Sequence, residues 1–441
     1  MQKSNLTIIK HIKKILYSKK LKENFRFSSK DFTRKRKIPF DRVLLFMISM
    51  VKKSLQLELC NFIQSLNLKS IKHVTNSAYN QARMKIKPEI FYHLLQEVNA
   101  EFYSDNDERV VLWDDFRLLA CDGSFLNVPF VPNLIKRYGV AKSNQHDTEV
   151  LNARCSILYD LENHMILGGA LASYKIGERE MLISLLKAIE KSKFNDLIIL
   201  DRGYPSFDLV YELNKRKVNF VIRLQSNFSN AITAFIESDK QDFLLEIQPG
   251  KNTSFLKKLY TKKAAIMVRL IKVELDNGTI EVLMTSLKDD IKHPIEVFKQ
   301  LYFKRWGIET LYDKLKNKLK VEEFTGYSET SILQDFYCSL FLSNLQSLLV
   351  GEANDELKKQ NITNRKYDYK VNTNLSIGFI KTRIVDLFMK DNDAENTLQE
   401  LSQLFLKSTI PIRPNRAFPR NTNKFRVRKK PAVSKNFKSS L

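Results

Sequence analysis

Three features of the sequence predict an α/β fold preceded by a helical N-terminal region. Apolar residues recur at helical spacing from Pro39 to Tyr103, short apolar strands alternate with amphipathic helices from Phe116 to Leu224, and Asp276-Asn277-Gly278 stands between two β-type runs. The N-terminal helices are Val43–Val51, Leu55–Leu66, Ser77–Ile86 and Pro88–Phe102, joined by short polar links. The third carries Asn80, Gln81, Arg83 and Lys85. Amide and guanidinium groups can bond base edges bidentately, so this helix is a candidate DNA reader; an ordinary solvent-facing helix would look the same.

After an acidic hinge from Ser104 to Glu108, Phe116–Asp122 reads as a buried strand. Val150–Tyr159 and His164–Ala172 flank Asp160-Leu161-Glu162-Asn163, a hairpin turn. Glu178–Lys191 is an amphipathic helix, Asp196–Asp201 a strand, Ser206–Lys217 a helix and Val218–Leu224 a strand. The order is three strands, then helix, strand, helix, strand. Ala264–Leu275 and Thr279–Leu287 bracket the Asn-Gly turn, so this stretch reads as a β-rich insertion. Helical periodicity resumes from Pro294 to Leu319, with further helix at 330–350 and after 371.

At 441 residues, with 43% hydrophobic residues and few Gly and Pro, the chain can bury a core and is neither disordered nor fibrous. No apolar run approaches the roughly 18 residues of a membrane span, and the four scattered Cys form no CxxC pair. The expectation is an intracellular, soluble, basic protein with no membrane partner. Its net charge of +24 sits mainly at the two ends: residues 1–40 hold 13 Lys/Arg against 2 acids, and residues 411–441 hold 10 against none. Two cationic arms on a near-neutral body suit a polyanion, although a solvated tail without a partner would carry the same charge. Ile8, Ile9, Ile12, Ile15 and Leu16, with Lys between them, make an amphipathic stretch that could alternatively lie on a membrane surface.

Two acids end apolar runs, Asp122 after Leu118-Leu119-Ala120-Cys121 and Asp201 after Leu197-Ile198-Ile199-Leu200, and small or turn-forming residues follow each. A carboxylate at the carboxyl edge of a buried strand sits where α/β proteins place ligands. If the strands are neighbours the two acids converge, and a divalent cation relieves their repulsion. A turn or helix-capping Asp is the alternative. On a continuous helix, Tyr302, Arg305, Glu309 and Lys316 share an arc of about 60°, beside a buried stripe of Leu301, Ile308, Leu311, Leu315 and Leu319. Arg305 and Glu309 could equally be a surface i,i+4 pair.

The spacing Tyr302-x2-Arg305-x3-Glu309-x6-Lys316 resembles the Tyr-Arg-Glu-Lys signature of the IS-four group of insertion-sequence transposases. Leu119-Ala120-Cys121-Asp122-Gly123-Ser124 and Leu200-Asp201-Arg202-Gly203-Tyr204 are similar to the blocks that hold the first and second catalytic acids of that family. Thr285-Ser286-Leu287, the stretch from Val74 to Lys85 and the tail from Pro411 to Arg420 also look like family members, so the resemblance covers most of the chain.

The resemblance implies an RNase H-like catalytic core of the DDE type, a mixed sheet flanked by helices and interrupted by a β-rich insertion, after an all-helical DNA-binding domain. The expected division is 1–108 basic arm and helical domain, 109–224 first part of the core, 225–290 insertion, 291–350 the helix with the catalytic Glu, 351–410 a helical region and 411–441 a basic tail that folds only on DNA. By match, Asp122, Asp201 and Glu309 are the metal-binding catalytic triad, and Tyr302, Arg305 and Lys316 bind DNA phosphates. The aromatic residue that family members stack on a displaced base has no match, since the only Trp residues, Trp113 and Trp306, lie outside the insertion.

Three carboxylates with open positions for water and phosphate suit two Mg²⁺ ions, or Mn²⁺, which serve both sides of a phosphodiester under attack. Arg305 can grip a phosphate bidentately and Lys316 adds a point charge. The expected function is cleavage at the terminal inverted repeats of an insertion sequence and joining to target DNA, with a homodimer across two double-stranded ends implied by family. An RNase H-like nuclease, or a transposase-derived DNA-binding protein without activity, are the competing readings.

Overall fold

The computed structural model describes residues 3–34, 36–49, 53–66, 73–104, 109–142, 149–190, 192–249, 264–275, 278–360 and 366–413. The basic tail from 414, most of the acidic hinge (105–108) and Asp276-Asn277 lie outside the described residues. The chain opens with six helices, α1 (Lys3–Leu16), α2 (Lys19–Phe25), α3 (Phe40–Ile48), α4 (Leu55–Ser65), α5 (Asn76–Arg83) and α6 (Glu89–Tyr103). Then come β1 (Phe116–Asn127), α7 (Pro132–Tyr138), β2 (Val140–Lys142), β3 (Glu149–Asp160), β4 (Met165–Ser173), α8 (Glu178–Leu185), β5 (Asn195–Leu200), α9 (Phe207–Lys215) and β6 (Asn219–Arg223). They are followed by α10 (Asn230–Glu237), β7 (Asp242–Ile247), β8 (Ile266–Glu274), β9 (Ile280–Thr285), α11 (Glu296–Phe303) and α12 (Trp306–Asp313). The rest comprises α13 (Glu329–Lys359), β10 (Tyr369–Val371), α14 (Thr373–Phe388), α15 (Ala394–Lys407) and β11 (Thr409–Pro411).

These elements form two units: residues 1–107, 126–153 and 313–441 in one, residues 108–125 and 154–312 in the other. In the first, α13 is the axis. Its middle turns, residues 338–346, are buried on every side, as in a helix enclosed by others, and it buries Ile332, Phe336, Leu340, Phe341 and Leu345. It packs on α6, α7, α14 and α15. Two of the polar groups it buries are bonded across helices, Asn344 to Asn99 (2.8 Å) and Gln346 to Ser376 (3.0 Å). The first basic segment is folded here: Ile8, Ile9, Ile12 and Leu16 of α1 are buried on α6, α14 and α15, which accounts for the amphipathic stretch without a membrane. Among the described residues no helix is long and apolar enough to cross a membrane.

The second unit is built on a sheet ordered β4-β3-β1-β5-β6-β9-β8-β7. β5 runs parallel to both β1 and β6, whereas β9, β8 and β7 continue antiparallel from β6. Short β2 pairs with the opening residues of β3, within the first unit. The predicted hairpin turn between β3 and β4 is locked by Asp160, whose carboxylate accepts the backbone N–H of Glu162 (3.1 Å) and Asn163 (3.0 Å). The second hairpin, β8 to β9, closes through Gly278 at φ +77°, a conformation glycine adopts without strain. The segment 225–287 contains α10 as well as strands, and its strands extend the main sheet.

Two expectations need correction. β1 runs on past Asp122 to Asn127, because its other neighbour, β3, is twelve residues long. The continuous helix expected from Pro294 to Leu319 is three pieces. Over Lys304–Ile308 the backbone bonds shorten to three-residue spacing (Arg305 N–H to Tyr302 O, 3.1 Å; Gly307 N–H to Lys304 O, 2.9 Å). Beyond α12 they widen into a π-helical turn over Lys314–Lys318, closed by Leu319 N–H to Lys314 O at 2.9 Å. A fixed 100° per residue therefore does not carry from Tyr302 to Lys316.

Candidate active site

β1 and β5 place the two aspartates together. The parallel register that pairs Ala120 with Ile199 brings Asp122 level with Asp201 two residues further on, with both side chains on the same face. Beneath them the floor is apolar: Cys121, Ile199, Leu200 and Tyr204 are fully buried. Asp122 is pinned from behind, since its carbonyl accepts the hydroxyl of Tyr312 at 2.8 Å. Its Oδ1 accepts the N–H of Gly123 (2.8 Å), and Oδ1 of Asp201 accepts that of Gly203 (2.6 Å). Burial pushes the Asp122 carboxyl up to about 6; the Gly123 N–H and the Arg305 guanidinium oppose this, and the charges of Asp201 and Glu178 add to it. Two acids drawn together over an apolar floor are short of positive charge, which a cation supplies.

The broken helix contributes the third acid. Arg305, only 6% exposed, donates through Nη2 to Oε1 of Glu309 at 3.0 Å, with its guanidinium over Trp306 (5.1 Å to the ring centroid) and Tyr302 (5.9 Å). The charge of Arg305 also acts on Asp122 and feels that of Asp201, so the guanidinium bonded to Glu309 lies within electrostatic reach of both aspartates. Among the described residues, Nε of Arg305 and the hydroxyl of buried Tyr302 have no hydrogen-bond partner. Each such orphan costs about 1–3 kcal/mol when buried, and both suit a phosphate oxygen. Burial pushes the Tyr302 phenol up to about 12, against Arg305 and Arg223, and with Asp201 and Glu281 adding to it.

Tyr302, Arg305, Glu309, Asp122 and Asp201 therefore belong to one unit; Lys316 is half-exposed in the π-helical turn and belongs to the other. Among the described residues, no three His, Cys, Asp or Glu side chains already close around a point as metal ligands do. The donor set nevertheless fits a hard divalent cation, being carboxylate throughout.

The candidate DNA-reading helix is α5. Asn80 and Gln81 are exposed on it, Gln81 bonded to Ser77 (3.2 Å), and Lys85 follows it, 3.8 Å from Asp31. Arg83 is corrected. It is buried within the first unit, where it meets Oε1 of Gln334 (2.7 Å), the carbonyl of Ser331 (3.0 Å), Asp335 (2.7 Å) and Thr325. An arginine buried and bonded in this way joins α5 to α13 and does not present its guanidinium to a base edge.

Sequence reasoning missed Tyr312, Arg154 and Glu178. Glu178 opens α8, and its Oε1 accepts Nη1 of Arg154, from β3, at 2.7 Å. An acid in the first turn of a helix is common for its favourable interaction with the dipole, so its position carried no signal. Tyr312 lay on the predicted helix, and its bond to the Asp122 carbonyl joins residues 190 apart in the chain, which spacing within one helix does not reveal.

The Transposase DDE domain family matches residues 113–345, more than half of the chain. The chain is similar to the Transposase InsG for insertion sequence element IS4 of Escherichia coli (strain K12), with 22% identity over 394 residues, covering 88% of this chain and 86% of that one. A solved structure, the cryo-EM structure of piggyBac transposase synaptic complex with hairpin DNA, aligns over 94% of this chain and 88% of its own at 9% identity and a TM-score of 0.45. With the matched segment enclosing Asp122, Asp201 and Glu309, the chain belongs to the Transposase DDE domain family, as a DNA transposase of the IS-four type.

Proposed function

We propose that Asp122, Asp201 and Glu309 are the catalytic triad of this transposase and hold two divalent ions, Mg²⁺ or Mn²⁺, while it cleaves DNA at the terminal inverted repeats of its element and joins them to target DNA. The observation that carries this is the level register of Asp122 with Asp201, with Glu309 bonded to Arg305, whose charge acts on Asp122. When bound, such ions activate the attacking oxygen and neutralise the leaving one. The protein's own groups do the rest. Tyr312 fixes the backbone at Asp122; Arg305 Nε and the Tyr302 hydroxyl, both without partners, receive the oxygens of the scissile phosphate. Lys316 holds a phosphate further along the strand. For metal to be held by all three acids, Glu309 must leave Arg305, and an arriving phosphate is the natural replacement partner for that guanidinium.

The strand order β4-β3-β1-β5-β6, with β1, β5 and β6 parallel, supports an RNase H-like core extended by the insertion strands. Asn80, Gln81 and Lys85, on or beside the exposed edge of α5, are proposed to meet the DNA end, the basic tail to fold on DNA, and two copies to bridge a pair of ends. Asp122→Asn, Asp201→Asn and Glu309→Gln are each expected to lower cleavage of a donor plasmid in Mg²⁺ by on the order of a thousandfold or more, with binding to the ends retained in a gel shift. Near wild-type cleavage by any of the three would refute the triad.

A further inference from the structure

Gly123 and Gly203 look like turn glycines in the sequence, but neither has a positive φ. What Gly123 provides is space: a Cβ there would lie 2.5 Å from Oε1 and 2.6 Å from Cδ of Glu178, so the glutamate would have to shift. A Cβ on Gly203 would lie 3.3 Å from Oδ1 of Asp201 and 3.5 Å from Oε2 of Glu178. The side chain of Glu178 thus lies in a slot between the glycines that follow the two aspartates. It is held there: Arg154 grips Oε1 at 2.7 Å, donates to the carbonyl of Tyr174 at 3.3 Å, and lies over the ring of Phe125 (4.7 Å to the centroid). The other oxygen, Oε2, is turned to Gly203, whose N–H holds Asp201. Arg154 meets the charge of Glu178 at Oε1, yet that charge still acts on Asp122, so the three carboxylates gathered here favour a shared cation.

We propose that Glu178 is a fourth carboxylate of the acidic centre, binding divalent metal together with Asp122 and Asp201, and that Arg154 positions it. The proposal rests on the reading of Asp122 and Asp201 as metal ligands. It gives α8 a part in the site and gives Gly123 a reason: the residue after the first aspartate must lack a side chain so that a distant glutamate can enter. Glu178 would then supply the site while Glu309 is still engaged with Arg305.

The test is binding of Mn²⁺ alone to the full-length protein, read from the electron paramagnetic resonance of free Mn²⁺, beside the Mg²⁺ concentration that gives half-maximal cleavage. Glu178→Gln, which keeps the shape and a hydrogen bond to Arg154, is expected to weaken Mn²⁺ binding about tenfold or more and to raise the Mg²⁺ requirement. Its near-ultraviolet circular dichroism in EDTA should match the wild type. Glu178→Asp should fall between, and Gly123→Ala should reproduce the Gln variant by displacing the carboxylate. Should the Gln variant fail to fold, the Asp variant decides. Wild-type Mn²⁺ binding by the Glu178 variants, with Asp122→Asn impaired, would overturn the role of Glu178 alone. Unchanged binding in Asp122→Asn and Asp201→Asn as well would overturn the triad.

Discussion

Lys314, two residues past Tyr312, shows what burial does to a single charge. Although its side chain keeps some exposed surface, its ammonium is enclosed, donating to the Ser343 carbonyl (3.0 Å) and the Ser347 hydroxyl (3.1 Å), and burial pulls it down to about 7. Below pH 7 the folded and unfolded chains both carry this proton, and the cost of burying it counts fully against folding. Between about 7 and the ordinary 10.5 the unfolded chain binds a proton that the folded one lacks, so stability rises with pH. Lys314→Met is therefore expected to raise stability at pH 7 by about 2–4 kcal/mol and to flatten the rise between pH 7 and 10. Urea denaturation of both proteins across that range checks it; parallel curves would contradict it. Arg83 is the opposite case, a buried charge that stays ionised because Asp335 and three neutral acceptors surround it.

Among the elements, the junction of β6 and β9 explains a motif that looked functional. The hydroxyl of Thr285 donates to the Phe220 carbonyl (2.7 Å) and accepts the N–H of Leu287 (3.1 Å), while Ser286 bonds Asn219 (3.0 Å) and accepts the N–H of Phe220 (3.0 Å). Thr285-Ser286-Leu287 thus fastens the insertion strands to the strand beside β5, at the bend where chain pairing would otherwise end. Thr285→Val, equal in shape, leaves the N–H of Leu287 without this acceptor and removes one of the two bonds to the Phe220 carbonyl, whose other donor is the Ser286 N–H (3.2 Å), and should cost about 1–3 kcal/mol. Thermal unfolding measures it, and an unchanged midpoint would contradict the role. The broken helix is a second case: the tightened turn at Lys304–Ile308 keeps Tyr302, Arg305 and Glu309 together at the sheet, and the later π-helical turn gives Lys316 a direction of its own.

For the whole molecule, the division into two units runs across the sequence rather than along it, since helices from both chain ends enclose α13. The N-terminal helices are therefore not a free-standing domain. A fragment of residues 1–107 would expose the α6 surface that α13 covers, and it is expected to unfold without a cooperative thermal transition. Circular dichroism on heating tests this, and a sharp transition would show that these helices fold alone. The proposed end binding is accordingly best measured on the full chain, and with a net charge of +24 its affinity is expected to fall steeply with salt.

Local pattern determined a good deal by itself. Apolar runs placed β1, β5 and β6, Asp160 and Gly278 marked the two hairpins, and the spacing of Tyr302, Arg305 and Glu309 marked the family, because propensity, turn chemistry and motif spacing act over a few residues. Tertiary structure alone decided that Arg83 is a buried fastening, that Glu178 enters the slot above Gly123, and that the helix breaks before Trp306. Each of these depends on what a distant segment brings to the spot, Asp335, Arg154 and the sheet in turn. Long-range packing sets the energy of a buried charge, and no periodicity within one segment records it.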